Sequence, residues 1–365
     1  MADGEEWLNN RRVMNRLMLK GTNLDSLLEP SSLVASNLVS RWKQKQEELA
    51  GPLDVENLGG QMYRWSLDVI VGTLLGSELY ERHAPELDSR LASLAEDIIH
   101  VFEDSAKLAL LPARLARALH LPTWTRFERN VDRALQGASS LVLDLLPMAR
   151  GGDGLLERML ESGLELRDIV RIIVDLVLAA GDTTSYAAQW TLYLLARHPE
   201  QQNLVSQQVH EDTPTALVRG VIRESMRLYP VAPFITRVLP EDCELGGYNI
   251  PAGKLIIMSL YTSGRSALDF PDPERFWPER WLRSEDSADQ GSYCGVVNQH
   301  ATVPFALGAR SCIGRKLAET QLMDIVIKML REFRLELQEP QREVQLVMRL
   351  VSVPSEPIRL RLVPR

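Results

Sequence analysis

The chain has 365 residues, 45% of them hydrophobic and 25% charged, so it can bury a sizeable core and is not of the disordered class. Its formal net charge of −8 argues against nucleic acid as the main partner, because phosphate binding needs a net basic surface. The three cysteines, Cys243, Cys294 and Cys312, include no CxxC pair. The sequence therefore supports neither a disulfide framework nor a cysteine-rich zinc site, and a reducing compartment is expected.

The first residues, MADGEEWLNNRR, are acidic and contain no apolar run, so they match neither a signal peptide nor a transit peptide. The longest apolar stretch, 169–181, is interrupted by Arg171 and Asp175 and is too short to cross a bilayer. The sequence therefore predicts no membrane span and carries no recognisable targeting signal.

Apolar residues recur at three- and four-residue spacing through the first 230 residues, which predicts stacked amphipathic helices. The predicted helices are 31–49, 56–80, 87–118, 125–149 and, after the connection RGGDG, 166–197. The last of these is apolar nearly all round, so we expect it to run through the interior.

The pattern changes from residue 234 to short β-rich runs separated by GG and PAG, which predicts a small antiparallel sheet. We predict a polar loop at 284–300, a helix at 313–333 and two strands within 344–363. The predicted fold class is therefore mainly α with small β-sheets.

Cys312 lies in the segment PFALGARSCIGRK, with Gly308 and Gly314 around it and Arg310 two residues before it. The glycines allow a tight turn close to a flat group, and the arginine offsets the charge of a thiolate or binds an anion. A helix that begins near Ile313 would direct its N–H groups at the sulfur and lower the pKa of the thiol. The segment therefore predicts a thiolate that acts as a nucleophile or a metal ligand.

Three interpretations of Cys312 are open at this point. A buried structural cysteine is the commonest fate of a single cysteine. A catalytic nucleophile needs a histidine base, and His300 is the histidine nearest to it in the sequence. An axial thiolate on haem iron needs the glycines and the arginine at these spacings, and it predicts further matches elsewhere.

The segment resembles the haem loop of the cytochrome P450 family, which reads F-x-x-G-x-R-x-C-x-G. The fixed places are filled by Phe305, Gly308, Arg310, Cys312 and Gly314. The resemblance implies the cytochrome P450 fold and a haem b cofactor whose iron takes Cys312 as its axial thiolate ligand.

A second family signature, E-x-x-R, is found in ESMR as Glu224 and Arg227, and its usual partner is Arg280 in PERW. Salt bridges at this spacing are common on exposed helices, so the match gains weight only from its order along the chain. The resemblance implies that these three residues form a structural triad, which fixes the loop that carries Cys312.

The long predicted helix contains AAGDTT, where Asp182 and Thr183 stand side by side in apolar surroundings. Thr183 could simply bond back to the carbonyl oxygen four residues earlier. In the family, such an acid and alcohol relay protons during oxygen activation, so the resemblance implies a catalytic role for both. The family usually has glycine at the position of Ala180, whereas here the glycine follows as Gly181.

A fourth match, W-x-x-x-R, gives Trp7 and Arg11, two donors one helical turn apart that could also be plain surface. In the family these donors bind a haem propionate, as Arg310 does. Arg237 in FITRV is placed to do the same, because guanidinium geometry suits a carboxylate.

The resemblance covers the whole chain but not the whole family fold. Trp7 belongs to a helix that family members reach only after a membrane-facing region, a first sheet and early helices. We therefore expect residues 1–365 to form a single cytochrome P450 domain that lacks this N-terminal region, as an incomplete gene model or a fragment would. Peripheral membrane association is expected through the missing region.

Basic residues lie directly after the haem loop and before Glu224, namely Arg219, Arg223, Arg315 and Lys316. Charged helix residues usually form a solvated face. In mitochondrial members of the family, basic residues at these places dock an acidic, adrenodoxin-like ferredoxin. The resemblance therefore implies the mitochondrial branch, on the matrix side of the inner membrane, with that partner.

Segments such as ESMRLYPVAPFITRVLPEDCELGGYNI and SLYTSGR resemble those of the arthropod ecdysteroid hydroxylases, the 2-hydroxylases above all. This implies a flat steroid substrate, O₂ as oxidant and electrons from the ferredoxin. The residues expected to contact the steroid are Val177, Leu178, Val231, Phe234, Ile235, Val351 and Ser352. Such a set would equally suit a fatty acid or core packing.

Other functions remain open on the sequence alone. A sterol or lipid hydroxylase of other specificity fits the same motifs, and a truncated, non-catalytic haem-binding fragment fits the missing N-terminal part. A haem-thiolate isomerase would not need Asp182 and Thr183. A zinc or nucleophilic-cysteine protein would require that all four matches be dismissed.

Overall fold

The computed structural model describes residues 4–19, 24–108, 111–211, 216–283, 292–349 and 351–365. Its helices are α1 (Gly4–Met18), α2 (Leu24–Leu49), α3 (Leu58–Leu75), α4 (Ser77–Leu108), α5 (Ala113–Ala118), α6 (Pro122–Met148), α7 (Leu155–Glu161), α8 (Leu166–Arg197), α9 (Pro199–His210), α10 (Ala216–Leu228), α11 (Leu260–Ser263) and α12 (Arg315–Glu332). Its strands are β1 (Leu53–Asp54), β2 (Phe234–Val238), β3 (Cys243–Leu245), β4 (Tyr248–Ile250), β5 (Leu255–Ser259), β6 (Phe333–Leu337), β7 (Leu346–Met348), β8 (Ser352–Pro354) and β9 (Leu360–Pro364). The predicted fold class, mainly α with small β-sheets, is confirmed.

Helix α8 runs through the interior and has the predicted bounds, 166–197. Between Thr184 and Ala196 every residue except Tyr186 is buried. Helices α3, α6, α10 and α12 pack against it. The apolar side chains of this second half of α8 therefore find neighbours on several sides, which is why it needs no polar face, whereas the first half exposes Arg167, Arg171 and Asp175.

The predicted helix 56–80 is divided in the structure, because α3 ends and α4 begins on either side of Gly76. This glycine has a φ of +87°, a backbone conformation that favours glycine. Helix α4 then ends at Leu108 and α5 is separate, so the predicted helix 87–118 is divided as well. Apolar periodicity continues across both breaks, so the period alone did not show them.

The strands form four small antiparallel groups. Strand β9 lies between β1 and β6, β2 pairs with β5, β3 with β4, and β7 with β8. The single sheet predicted after residue 234 is therefore two separate pairs, and region 344–363 contributes three strands rather than two. Of the predicted polar loop, 284–291 lies outside the described residues.

Within the described ranges, the model contains no helix that is both long enough and apolar enough to cross a membrane.

Candidate functional site

Cys312 ends a tight loop that leads into α12. Its backbone N–H donates to the carbonyl oxygen of Phe305 at 2.8 Å, which closes the loop. Gly308 has a φ of +79°, and no atom lies within 4 Å of the position that a Cβ would take there. The backbone of the loop is therefore open on one side, where a flat group could approach closely.

Cys312 and Thr183 line the same cavity, which is open to solvent on one side. The cavity lies between α8 and the start of α12, and α3 forms one side. Its lining is mostly apolar and includes Leu176 from α8, Ile70 from α3 and Leu317 from α12. The structure thus brings the predicted thiolate ligand and the predicted relay alcohol to one apolar space.

The structure corrects the prediction of a lowered pKa for Cys312. The side chain of Cys312 is exposed toward the cavity, yet the protein atoms around the sulfur take away enough solvent to raise the pKa of the thiol. The N–H of Gly314 and the charges of Arg11 and Arg315 lower the pKa without outweighing burial. The protein alone therefore favours the thiol, and a coordinated metal ion would be needed to hold the thiolate.

Three of the four predicted propionate ligands lie together beside the loop. The Cζ of Arg310 lies 3.6 Å from the centroid of a ring of Trp7. Nη2 of Arg11 donates to the carbonyl oxygen of Ser311 at 2.7 Å. Arg237 is an exposed residue of β2, and its Nη1 donates to the carbonyl oxygen of Thr236 at 2.7 Å. Its contact with a propionate stays a prediction.

The residues around the cavity fit a haem. Burial lowers the pKa of Arg11, and the positive charge of the nearby Arg310 lowers it further. The Nε of Arg11 is buried and has no hydrogen-bond partner among the described residues. Two neighbouring guanidinium groups, with the Nε of Arg11 as an unused donor, suit a propionate. The apolar cavity beside the Cys312 sulfur suits a flat macrocycle.

The described residues offer little to the zinc alternative. Within these ranges, no group of three or more histidine, cysteine, aspartate or glutamate side chains is arranged to hold a metal ion. A zinc site needs at least three such protein ligands.

Thr183 and Asp182 point to different sides of α8. Thr183 lines the cavity, and its Oγ1 donates to the carbonyl oxygen of Ala179 at 3.2 Å, which is the back bond that the sequence left open. Asp182 is 1% exposed and does not line the cavity. Burial raises the pKa of Asp182 well above its ordinary value, so the carboxyl group is expected to be neutral. The predicted relay therefore has its alcohol at the cavity and its acid behind it.

Gly181 is required by the contact between α8 and α3. A Cβ built on Gly181 would lie 2.5 Å from both Cζ and the hydroxyl oxygen of Tyr63. We expect Gly181→Ala to lower the free energy of unfolding by about 1–3 kcal/mol, because the core must move to admit the methyl group. The measurement is denaturant unfolding of the variant and the parent protein.

The matched control for this prediction is Gly137→Ala in α6. There a Cβ would meet only the flexible end of Leu94 at 3.3 Å, and alanine is favoured over glycine within a helix by about 0.5–1 kcal/mol. This variant is expected to be neutral or more stable. Equal losses of stability in the two variants would contradict the assigned contact.

Glu224 is the centre of a fully buried polar cluster. Its Oε1 accepts from Nε of Arg280 at 2.9 Å and from Nη2 of Arg227 at 2.8 Å, and its Oε2 accepts from Nε1 of Trp281 at 2.9 Å. Both arginines also donate to backbone carbonyl oxygens between 264 and 295. The structure thus brings the predicted triad together, adds the indole, and ties α10 to the segment that precedes the cysteine loop.

Two of the four basic residues predicted to dock a ferredoxin line one groove beside the cysteine loop. Arg223 and Arg315 border this groove. Arg223 donates to the hydroxyl of Tyr293, and Arg315 is paired within α12. Lys316 donates to a backbone carbonyl oxygen at the end of α1, and Arg219 is exposed on α10. The basic face is therefore partly neutralised.

One side of α8 lines the cavity of Cys312. It carries Leu176, Ala179, Ala180 and Thr183, which follow one another at the three- and four-residue spacing of a helix face. Val177 and Leu178 do not line this cavity, and their predicted contact with a steroid stays a prediction.

The other residues predicted to contact a steroid lie in or beside β2 and β8, away from the cavity of Cys312; they are Val231, Phe234, Ile235, Val351 and Ser352. The backbone N–H of Ser352 donates to the carbonyl oxygen of Val231 at 2.8 Å. This hydrogen bond joins β8 to the segment that follows α10, so the five residues lie in one region of the structure. Its contact with a substrate stays a prediction.

Comparison with protein families agrees with this geometry. The family model of cytochrome P450 matches residues 1–362. The chain therefore belongs to the cytochrome P450 family, whose cofactor is a haem with iron and a cysteine thiolate ligand, and it is a cytochrome P450 monooxygenase.

Its relatives include mitochondrial steroid and sterol enzymes. Mitochondrial cytochrome P450 315a1 of Drosophila melanogaster is 37% identical over 379 residues, an alignment that covers 100% of this chain and 70% of the relative. The mitochondrial cholesterol side-chain cleavage enzyme of Hypanus americanus is 28% identical, with 100% and 72% covered. The mitochondrial sterol 26-hydroxylase of Rattus norvegicus is 27% identical, also with 100% and 72% covered. The chain is thus a monooxygenase of the mitochondrial type.

Proposed function

We propose that the protein hydroxylates a steroid, and that its specific reaction is 2-hydroxylation of an ecdysteroid precursor with O₂ and electrons from an acidic, adrenodoxin-like ferredoxin. The observation that carries the proposal is the apolar cavity that Cys312 and Thr183 share. The likeness of its sequence segments to ecdysteroid hydroxylases supports the specific reaction. Relatives named for cholesterol and sterols support a steroid, and their mitochondrial names support a mitochondrial location.

The proposal gives each residue of the site a task. Cys312 would ligate the iron, while Trp7, Arg11 and Arg310 would hold the propionates. When bound, the haem supplies O₂ activation and the insertion of one oxygen atom into a C–H bond. The apolar lining excludes water, and Thr183 places a hydroxyl at the cavity, where it can accept and pass on a proton.

The test is turnover with a defined electron supply. The haem-loaded protein is incubated with an adrenodoxin-type ferredoxin, its reductase, NADPH and a 2-deoxyecdysteroid, and the products are identified by mass spectrometry and NMR. A 2-hydroxylated product supports the proposal. A haem-thiolate spectrum without any steroid product would overturn it.

A second candidate, hydroxylation of a sterol side chain, is favoured by the relatives named sterol 26-hydroxylase. Cholesterol is therefore included as a competing substrate. A kcat/KM for cholesterol above that for the 2-deoxyecdysteroid would support this second candidate and contradict the first.

Replacement of Thr183 by alanine is expected to lower product formation on the order of 10²-fold, the usual contribution of one positioned proton donor. A larger share of the electrons supplied by NADPH should then reduce O₂ to hydrogen peroxide instead of forming product. The control is Thr191→Ala, because Thr191 makes the same back bond, 2.7 Å to the carbonyl oxygen of Ala187, but does not line the cavity. Equal loss of coupling in both variants would contradict a specific role of Thr183.

A further inference from the structure

Asp182 is a buried carboxyl group whose hydrogen bonds are unaccounted for. Neither of its oxygens has a hydrogen-bond partner among the described residues, although the residue is 1% exposed. Buried polar groups are nearly always hydrogen-bonded, so each exception calls for an explanation. Its surroundings on α3 and α8 supply one.

Tyr63 of α3 is a second buried group without a partner, and it lies beside the first. It is 2% exposed, and its hydroxyl has no hydrogen-bond partner among the described residues. The hydroxyl lies against Gly181, the residue before Asp182. A Cβ built on Gly181 would lie only 2.5 Å from the hydroxyl oxygen. The next turn of α3 is fixed to the same place, because Oγ of Ser66 donates to the carbonyl oxygen of Ala180 at 3.0 Å.

Tyr186 lies one helical turn after Asp182 on α8, on the same side of the helix. Burial raises the pKa of Tyr186 to about 12, and Asp182, once ionised, adds to this rise. Arg349, after β7, lowers it, and Glu103 of α4 raises it. Arg349 is exposed and Glu103 is half-buried. Tyr186 is itself only half-buried, so it leads from the side of α8 that carries the buried acid toward the surface.

We propose that Tyr63 and Tyr186 are positioning residues for Asp182, that their hydroxyls hydrogen-bond its carboxyl group, and that Tyr186 links it to solvent. This proposal rests on the proposed function, in which Thr183 accepts and passes on a proton, and it makes Asp182, the acid that the family resemblance pairs with Thr183, the source of that proton. A rotation of the Asp182 side chain carries its proton from the tyrosine side of α8 to the cavity side. On its return, the carboxylate takes the hydroxyl proton of Tyr186, which a proton from solvent replaces, so no charge accumulates.

The first test is infrared difference spectroscopy of the haem-loaded protein, and it does not require turnover. The wild-type spectrum minus that of Asp182→Asn should contain the C=O band of a protonated carboxylic acid at neutral pH. Tyr63→Phe and Tyr186→Phe should each shift this band, because each variant loses one hydrogen bond and keeps the ring. Absence of the band, or a band that neither variant shifts, would overturn the proposal.

The matched control is Tyr193→Phe. Tyr193 is also a fully buried tyrosine of α8, but its hydroxyl accepts from the backbone N–H of Val344. This variant should leave the Asp182 band unchanged, and thermal unfolding shows whether each variant is folded. If Tyr63→Phe does not fold, Tyr186→Phe decides alone, and an unshifted band in it overturns the proposal.

A second measurement tests the link to solvent. Product formation in D₂O and in H₂O is compared for the wild type, Tyr186→Phe and Tyr193→Phe. The proposal requires a larger solvent isotope effect and more peroxide in Tyr186→Phe only, and identical values in all three would contradict the link. The infrared band is independent of steroid turnover, so a failure of the proposed function and a failure of this proposal can be told apart.

Discussion

Replacement of Cys312 by alanine is expected to reduce monooxygenase turnover to background. The side chain lies in the cavity that also contains Thr183, and it is the residue placed there that can give iron a thiolate. Without it the electron density that favours O–O cleavage is lost, whatever haem the cavity retains. Steroid product per mole of haem is the quantity to measure.

The controls for this prediction are the two other cysteines. Cys294 is exposed and Cys243 is partly exposed, and neither lines the cavity. Cys294→Ala and Cys243→Ala should keep wild-type turnover. Activity that survives in Cys312→Ala but disappears in either control would assign the ligand to another cysteine.

The second large effect is expected from Glu224→Gln, which should lower the free energy of unfolding by about 3–5 kcal/mol. The glutamine cannot offset the charges of Arg227 and Arg280, and both side chains are fully buried with no access to water. The loss also frees the segment that α10 holds before the cysteine loop. Haem retention should therefore decrease together with stability in denaturant titrations.

An exposed ion pair provides the comparison. Nη2 of Arg82 lies 2.7 Å from Oε1 of Glu78, and both side chains are exposed. Glu78→Gln is therefore expected to lower the free energy of unfolding by less than about 0.5 kcal/mol. If Glu224→Gln costs no more than this, Glu224 is not the centre of the cluster that the structure shows.

The sequence predicted α8 to the residue because its apolar pattern is long and is bounded by a loop and by His198-Pro199. It also brought Thr183 to the cavity of Cys312 and Arg227 and Arg280 to Glu224, since the motif spacings carry this information. It missed the break at Gly76, where the apolar period continues while the backbone turns.

Contacts between distant elements could not be predicted in the same way. Tyr63 and Gly181 meet only because α3 packs closely against α8, and no local pattern marks either as a partner. The pKa of Cys312 follows from burial by the whole fold, whereas the sequence showed only the neighbouring charges and the helix start. The side of α8 that lines the cavity was within reach of helical periodicity, since positions 176, 179, 180 and 183 are three and four residues apart.

The central claim is that the cavity between α8 and the cysteine loop holds a haem ligated by Cys312. The absorption spectrum of the haem-reconstituted chain, reduced and exposed to carbon monoxide, tests this claim most directly. We predict a strongly red-shifted Soret band, which is the signature of a thiolate ligand. A reduced, carbon monoxide-bound protein whose Soret band lies where a histidine-ligated haem has it would contradict the claim.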